Sequence, residues 1–444
     1  MKRVLIVSPH FPPSTVAGVH RARMLARHLP GAGWEPVVFC VHEAFHEQTL
    51  DPELATLVPA AMRVIKVPAW PTRLSRAFGI GDLGVRGYGH LKRGVGSFLE
   101  KEGADLLFIT VLPGFPMLMA PTIKRRYGIP FILDYQDPWR SRTGTAAPFP
   151  TKAWAANGLA RLVEPRVIRD ADHVTTVSEG TSRLIRSLYP DLPESRFSAI
   201  PIGGDPGDFE GLDRGGFDCP WLDSSPGAIN VVYVGNVWTG AHRTVRAFLQ
   251  SVRLLSQEAP EVYRRVRLVF LGSSNQPGGE RPVVKPMAEQ AGLAGRVVEL
   301  PGRVSYLDAL RTLRRADVVM MFGSSDTHYT ASKLYPVLLA ARPVVGIFHE
   351  ESSVCEIADR VGGVRLIRFG ESRPVEATIS DIARALVETI REPASVGRAD
   401  VRQLEPFLGA AIGRRFGELF EEVVQHHAGK VINAPVHGCR GILR

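Results

Sequence analysis

Short apolar runs rich in β-branched residues recur along the chain, separated by longer stretches in which apolar positions return every three or four residues. In the first half the runs are Val4 to Val7, Pro36 to Val41, Arg63 to Val67, Asp105 to Ile109, Pro130 to Asp134 and His173 to Val177. Runs of this kind read as strands and the intervening stretches as helices, an alternation that predicts parallel βαβ units. The pattern lapses over Ile202 to Gly227, IGGDPGDFEGLDRGGFDCPWLDSSPG, whose Gly, Asp, Pro and Ser content is that of a linker. It resumes with INVVYVG at Ile229 and continues through VRLVFLG, RVVELPG, ADVVMMF, RPVVGIF and VRLIRF.

The expected fold is therefore α/β, with two Rossmann-like, doubly wound domains facing a cleft at the carboxyl ends of their strands. The expected division is an N-terminal domain over 1–205, a linker over 206–228, a second domain over 229–395, a C-terminal helical segment over 396–428 and a loose tail over 429–444. From Val401 to His427 the positions Leu404, Phe407, Leu408, Ile412, Phe416, Leu419 and Phe420 fit one amphipathic helix, expected to pack back on the N-terminal domain.

Composition narrows the picture. An apolar share of 45% and a charged share of 22% suit a folded globular protein, and 444 residues suit two domains. Cys40, Cys219, Cys355 and Cys439 are scattered, without CxxC pairs or clustered histidines, so neither a metal nor a disulfide framework is expected and a reducing, cytoplasmic setting fits. The apolar VLIV near the start is too short for a signal peptide and runs on into Pro12 and Pro13. A net charge of +9 points to anionic partners. Basic residues are not interleaved with stacking aromatics, which argues against nucleic acid and leaves phosphates or an acidic membrane face.

Candidate chemistry lies in the loops that follow strands. In VSPHFPPSTVAGVHRAR, Ala17 and Gly18 precede a helix whose unpaired N–H groups and dipole favour an anion, with His10 nearby; a rigid turn with a solvated Arg21, Arg23 and Arg27 face reads equally well. VGNVWTGAHRT repeats the logic with Gly235, Asn236 and Arg243, or is an ordinary βα turn. In GSSDTHYTASKLYPVLLAARPVV, Thr330 or Ser332 can cap a helix near Lys333, placing an ammonium beside N–H donors; a capped core helix with a snorkelled lysine is the plain alternative. LDYQDPWRSR offers Asp134 and Asp137 to sugar hydroxyls or as a base and Trp139 to a sugar face, although Asp134 also suits a turn cap and Trp139 a core.

Together the PP-x(4)-G loop with RARMLARHL, DYQDPW, HVTTVSEGTSRLI, AIPIGGDPGDF, VVYVGN, VELPGRVSYLDALRTLRRADVVMMF and SKLYPVLLAARPVV resemble the GT-B glycosyltransferases, within them the retaining, family-four-like enzymes. The resemblance implies a nucleotide-sugar donor on the C-terminal half and an acceptor on the N-terminal half, with no metal or other cofactor. It implies that Asn236, Arg243 and Lys333 hold the donor pyrophosphate, with Thr330, Ser332 and Gly235 around them. Arg303 and Val304 would face the base, and Ala17 and Gly18 would approach the phosphates. Asp137 and Lys333 are the expected catalytic groups, and His10, Asp134 and Trp139 the expected acceptor contacts. The acceptor would be a saccharide, a lipid-linked sugar or a small molecule, and peripheral contact with the inner membrane face is a further implication. The chain departs from the family at His328 and Pro336, where two glutamates are usual, at Ile202 in place of asparagine, and at Gln136 in place of arginine. A nucleotide-sugar binder without turnover and a sugar-nucleotide epimerase fit the same motifs.

Overall fold

Thirteen parallel strands form two sheets in the computed structural model, which describes residues 1–77, 80–140, 149, 151–212, 219–274, 281–324 and 332–432. The first sheet contains β1 (Lys2–Val7), β2 (Trp34–Val41), β3 (Arg63–Val67), β4 (Leu106–Thr110), β5 (Phe131–Tyr135), β6 (His173–Thr176) and β7 (Phe197–Ala199), in the order β3-β2-β1-β4-β5-β6-β7. The second contains β8 (Ile229–Val234), β9 (Val266–Leu271), β10 (Val297–Leu300), β11 (Val318–Phe322), β12 (Val344–His349) and β13 (Arg365–Phe369), in the order β10-β9-β8-β11-β12-β13. In both, the order reverses beside the first strand of the set. The carboxyl ends of β1 and β4, and of β8 and β11, thus become the places where loops diverge and a ligand can enter. Continuous burial of strands such as β4 and β5 explains why they read as apolar runs without alternation.

The chain divides into two compact units, one of Met1–Glu47, Val58–Ile200 and Gly413–Arg444, the other of Gln48–Leu57 and Pro201–Ile412. The excursion Gln48–Leu57 was not foreseen. Asp51 caps the short helix Pro52–Ala55 and accepts the Tyr306 N–H at 2.8 Å, while Glu53 takes the Ser305 hydroxyl and pairs with Arg311 at 2.6 Å. The stretch expected to be a linker is also built into the second unit where it is described. Leu212 enters the core, the Tyr306 hydroxyl donates to Asp208 at 2.9 Å, and Trp221 Nε1 donates to Thr312 at 2.9 Å.

The helix expected over Val401–His427 is interrupted. A short helix, Val401–Leu404, gives way to a tight turn at Glu405–Phe407, where Pro406 cannot supply an N–H, and a new helix runs over Gly409–Ile432. From Gly413 on it belongs to the first unit. Gly413 lies against His28 and Gly417 against Ala32, and Phe416 and Phe420 each reach Phe108 with ring centroids 5.6 Å apart. Trp34 Nε1 donates to the Gly417 carbonyl at 3.2 Å.

The helix Val19–His28 corrects the expected solvated arginine face. Arg21 and Arg23 are each 1% exposed. Arg21 Nε donates to Asp134 at 3.2 Å, another of its nitrogens donates to the Ile200 carbonyl, and its guanidinium lies 5.0 Å from the Phe416 ring.

Candidate functional site

In the second unit β8 ends at Val234 and the chain turns through Gly235, whose φ of +135° is a conformation that side chains resist. The Gly235 N–H is fixed to the Leu271 carbonyl at 2.7 Å. A β-carbon built on Gly235 would lie 1.7 Å from Lys333 Nζ, so the glycine exists to let that ammonium through. Lys333 stands at the entry of the helix Leu334–Leu339 and runs over the Tyr233 ring, with Nζ 5.5 Å from the centroid. Tyr233, Val234, Met320, Met321, Phe322 and Val337 line the small hollow around it.

Desolvation in this hollow, reinforced by the nearby Arg303 guanidinium, brings the Lys333 pKa down to about 8. Desolvation also lowers the Arg303 pKa. Among the described residues no carboxylate forms an ion pair with Lys333. A shielded ammonium beside a second cation and an open glycine turn is an arrangement that an anion would relieve.

Other expected donor residues are distributed around this corner. Asn236 is half-exposed and its carbonyl accepts the Tyr233 hydroxyl at 3.0 Å, holding the turn over the lysine. Ser332 is exposed beside Lys333, whereas Thr330 and His328 lie outside the described residues. Val304 is half-buried against the core of the unit. Arg243 departs from expectation: Nε and Nη2 donate to Glu376 at 2.9 and 2.8 Å in an exposed ion pair, so a surface carboxylate occupies the donors expected to hold phosphate.

Glu299 went unnoticed in the sequence. Its buried carboxylate accepts N–H groups of Val283, Val284 and Lys285 at 2.8, 2.9 and 2.8 Å and the Ser273 hydroxyl, fixing the start of the helix Val284–Gln290 to the ends of β9 and β10. A glutamate inside the strand pattern VVEL was the available signal.

In the first unit the ends of β1, β4 and β5 form a polar cluster. Thr110 donates to Ser8 at 3.1 Å and Ser8 to the His10 carbonyl at 2.8 Å. His10 Nδ1 is 3.3 Å from the Ser14 hydroxyl and its ring meets His46 edge-on at 5.3 Å. Burial, with the neighbouring His46, takes the His10 pKa down to about 4, so its imidazole is neutral at physiological pH. Asp134 is 0% exposed, paired with Arg21 and hydrogen-bonded by Thr175 at 2.7 Å, which corrects its expected place among the acceptor contacts: no substrate reaches it.

Asp137, three positions on, is exposed, has no hydrogen-bond partner among the described residues, and is raised above the usual carboxylate range by partial desolvation. Trp139 rests on Gly114, its ring occupying the space a β-carbon there would need. Ala17 is exposed. Gly18 is in ordinary right-handed geometry, and the space beside its Cα is filled by Leu112 and Gln136. Its missing side chain serves internal packing, with Gln136 Nε2 donating to the Gly18 carbonyl at 3.2 Å.

Substituting Gly235 by alanine is expected to displace Lys333 and strain the turn, lowering stability by about 2 kcal/mol or more. Denaturant unfolding checks this, and an unchanged midpoint would contradict the packing described.

Residues 17–203 match the family model described as a glycosyl transferase 4-like domain. No curated protein matches the chain. Among solved structures, sucrose-phosphate synthase from Thermosynechococcus elongatus superposes with a TM-score of 0.63 at 13% identity, covering 96% of this chain and 100% of that one. The α,α-trehalose-phosphate synthase from Burkholderia xenovorans, solved with glucose-6-phosphate, gives 0.61 at 12% identity, covering 94% and 100%. Anabaena HepE, solved with UDP and glucose, gives 0.60 at 13% identity, covering 95% and 100%. At these identities the structural likeness is one of fold.

Proposed function

We propose that the chain is a glycosyltransferase that moves a sugar from a nucleotide-sugar to a hydroxyl of its acceptor, a reading supported by the glycosyl transferase 4-like stretch over residues 17–203 and by the GT-B architecture. The second unit takes the donor, with the diphosphate on the corner formed by Gly235, Lys333 and Arg303. The carrying observation is the desolvated Lys333 ammonium, reached through a glycine and crowded by a second cation. The complex of HepE with UDP supports a nucleotide diphosphate on this architecture.

As the bond from the sugar's anomeric carbon to the diphosphate oxygen breaks, charge builds on the departing diphosphate. Lys333 and Arg303 are already in place to meet it, an effect commonly worth several kcal/mol. The acceptor hydroxyl attacks from the same face, its proton passing to the departing phosphate, so configuration is retained and no metal is called for. The first unit takes the acceptor, a saccharide, a lipid-linked sugar or a small molecule, and Asp137 orients it by accepting a hydrogen bond from a hydroxyl next to the reacting one.

No helix among the described residues is long and apolar enough to cross a membrane. Exposed Trp154, Leu159 and Leu162 beside Arg161 and Arg166 on the helix Lys152–Asp170 support peripheral contact with an anionic lipid face of the cytoplasm. Pro336, where relatives carry a glutamate for the donor ribose, favours a second reading, a binder without turnover.

Incubation with a panel of nucleotide-sugars, following release of nucleoside diphosphate with and without acceptors, separates the two. Acceptor-dependent release supports transfer, whereas binding with no release supports the second reading. Asp137→Asn is expected to slow release about 10- to 100-fold while UDP affinity changes less than about twofold. Unaltered release in that variant would remove Asp137 from the reaction.

A further inference from the structure

The amino ends of β8, β11 and β12 border a second hollow, of about 510 Å³, within the range of small-molecule sites. It lies at the opposite end of the sheet from Gly235 and Lys333, about 20 Å away along a six-residue strand. Three arginines line it: Arg265, Arg342 and Arg398. Arg265 spends Nε on the Gly227 carbonyl at 2.7 Å and Arg342 spends Nε on the Ala316 carbonyl, which orients both groups at the wall of the hollow. Arg398 has no hydrogen-bond or ion-pair partner among the described residues.

Two further groups give the hollow a finer chemistry. Thr389 lines it, is 0% exposed, and its hydroxyl has no hydrogen-bond partner among the described residues. A buried hydroxyl left in that state costs stability unless something fills its demand. Asp317 holds the Asn230 N–H through Oδ2 at 2.8 Å, while Oδ1 stands 4.0 Å from Arg342 and keeps capacity to accept. Ile390 and Pro343 supply apolar wall between these polar groups.

We infer that this hollow is a binding site for a small phosphorylated polyol, distinct from the site of transfer. The phosphate lies between Arg342 and Arg398, where guanidinium forks match its oxygens. Hydroxyls of the carbon skeleton reach Asp317 and, once its side chain turns outward from its buried position, the Thr389 hydroxyl, and the skeleton lies along Ile390. An inorganic anion would satisfy the arginines and leave Thr389 unmet, so the site ranks a phosphorylated polyol above phosphate alone. The inference does not rest on the donor reading, since none of these residues belongs to the Lys333 corner.

Calorimetric titration of the full-length protein with glucose 6-phosphate, and separately with inorganic phosphate, tests it at up to about 10 mM ligand. Arg398→Ala, at an exposed position outside both cores, is expected to weaken glucose 6-phosphate about tenfold or more and to leave nucleotide release unchanged. Thr389→Val keeps the shape and is expected to weaken glucose 6-phosphate several-fold while leaving phosphate unchanged. The Lys333→Ala protein is expected to bind the probe as the parent does. Absence of heat in the parent, or equal affinity in parent and Arg398→Ala, overturns the proposal. Equal loss of both ligands in Thr389→Val would reduce the site to one for a bare anion and overturn the polyol assignment.

Discussion

Lys333→Met is expected to weaken binding of a nucleoside diphosphate about 10- to 100-fold and, at neutral pH, to make the protein more stable. The first effect follows from losing a charge-assisted contact in a site with little water. The second follows from linkage. The folded protein holds this ammonium at a pKa of about 8 against an ordinary 10.5, so below about pH 8 folding carries the full penalty of keeping the charge desolvated. The penalty shrinks as pH rises from about 8 to 10.5, because the unfolded chain still binds the proton that the folded chain has released. At neutral pH the depression corresponds to at most about 3 kcal/mol, and the half-buried side chain reduces this to about 1–2 kcal/mol. Methionine removes it. Melting of parent and variant at a series of pH values checks the sign: the variant's advantage is greatest below about pH 8 and gone in strong alkali. A lysine placed for packing alone would give a less stable variant and unaltered diphosphate affinity.

Asp134→Ala is expected to destabilise the first unit by about 3–5 kcal/mol, because it leaves the Arg21 guanidinium charged, buried and without its carboxylate. The double change Arg21→Met with Asp134→Leu is expected to recover most of that loss, since two charges are replaced by apolar groups of comparable length. A double-mutant cycle built from Arg21→Met, Asp134→Leu and their combination, followed by urea unfolding, reads the coupling directly. Strict additivity would mean that Arg21 is satisfied by its other contacts, the Ile200 carbonyl and the Phe416 ring. Because Arg21 sits on the helix that follows the β1 loop, loss of the pair is also expected to loosen that loop before the sheet itself.

The strands were legible because a parallel strand buried on both faces writes its burial as a continuous apolar run, as FILDY and VVMMF do. Strand β7 was not, since FSA is three residues long and half-buried throughout. The break in the last helix was signalled by Pro406, but the spacing of apolar positions carries straight across it. Pairs distant in sequence were hidden for a different reason. Arg21 and Arg27 look alike in a row of arginines, and only a carboxylate 113 residues away makes one of them a core residue. Asp134, a charge inside an apolar run, carried half of that signal. The excursion Gln48–Leu57 is held by partners 252 to 258 residues distant, which no local pattern encodes. At the candidate site, Gly235 and Lys333 were legible because one closes a strand and the other opens a helix in repeated βα units. That the glycine serves the lysine, and that Glu376 occupies Arg243, depend on side-chain directions that spacing does not carry.

On the proposed reading an anionic diphosphate meets a partly deprotonated Lys333. Calorimetry of UDP binding near pH 8, repeated in buffers of different ionisation enthalpy, counts protons taken up with the ligand. A bound diphosphate raises the lysine's pKa, so uptake of about half a proton per UDP is predicted for the parent and none for Lys333→Met. UDP bound with no proton uptake, or with equal uptake in both proteins, would contradict it.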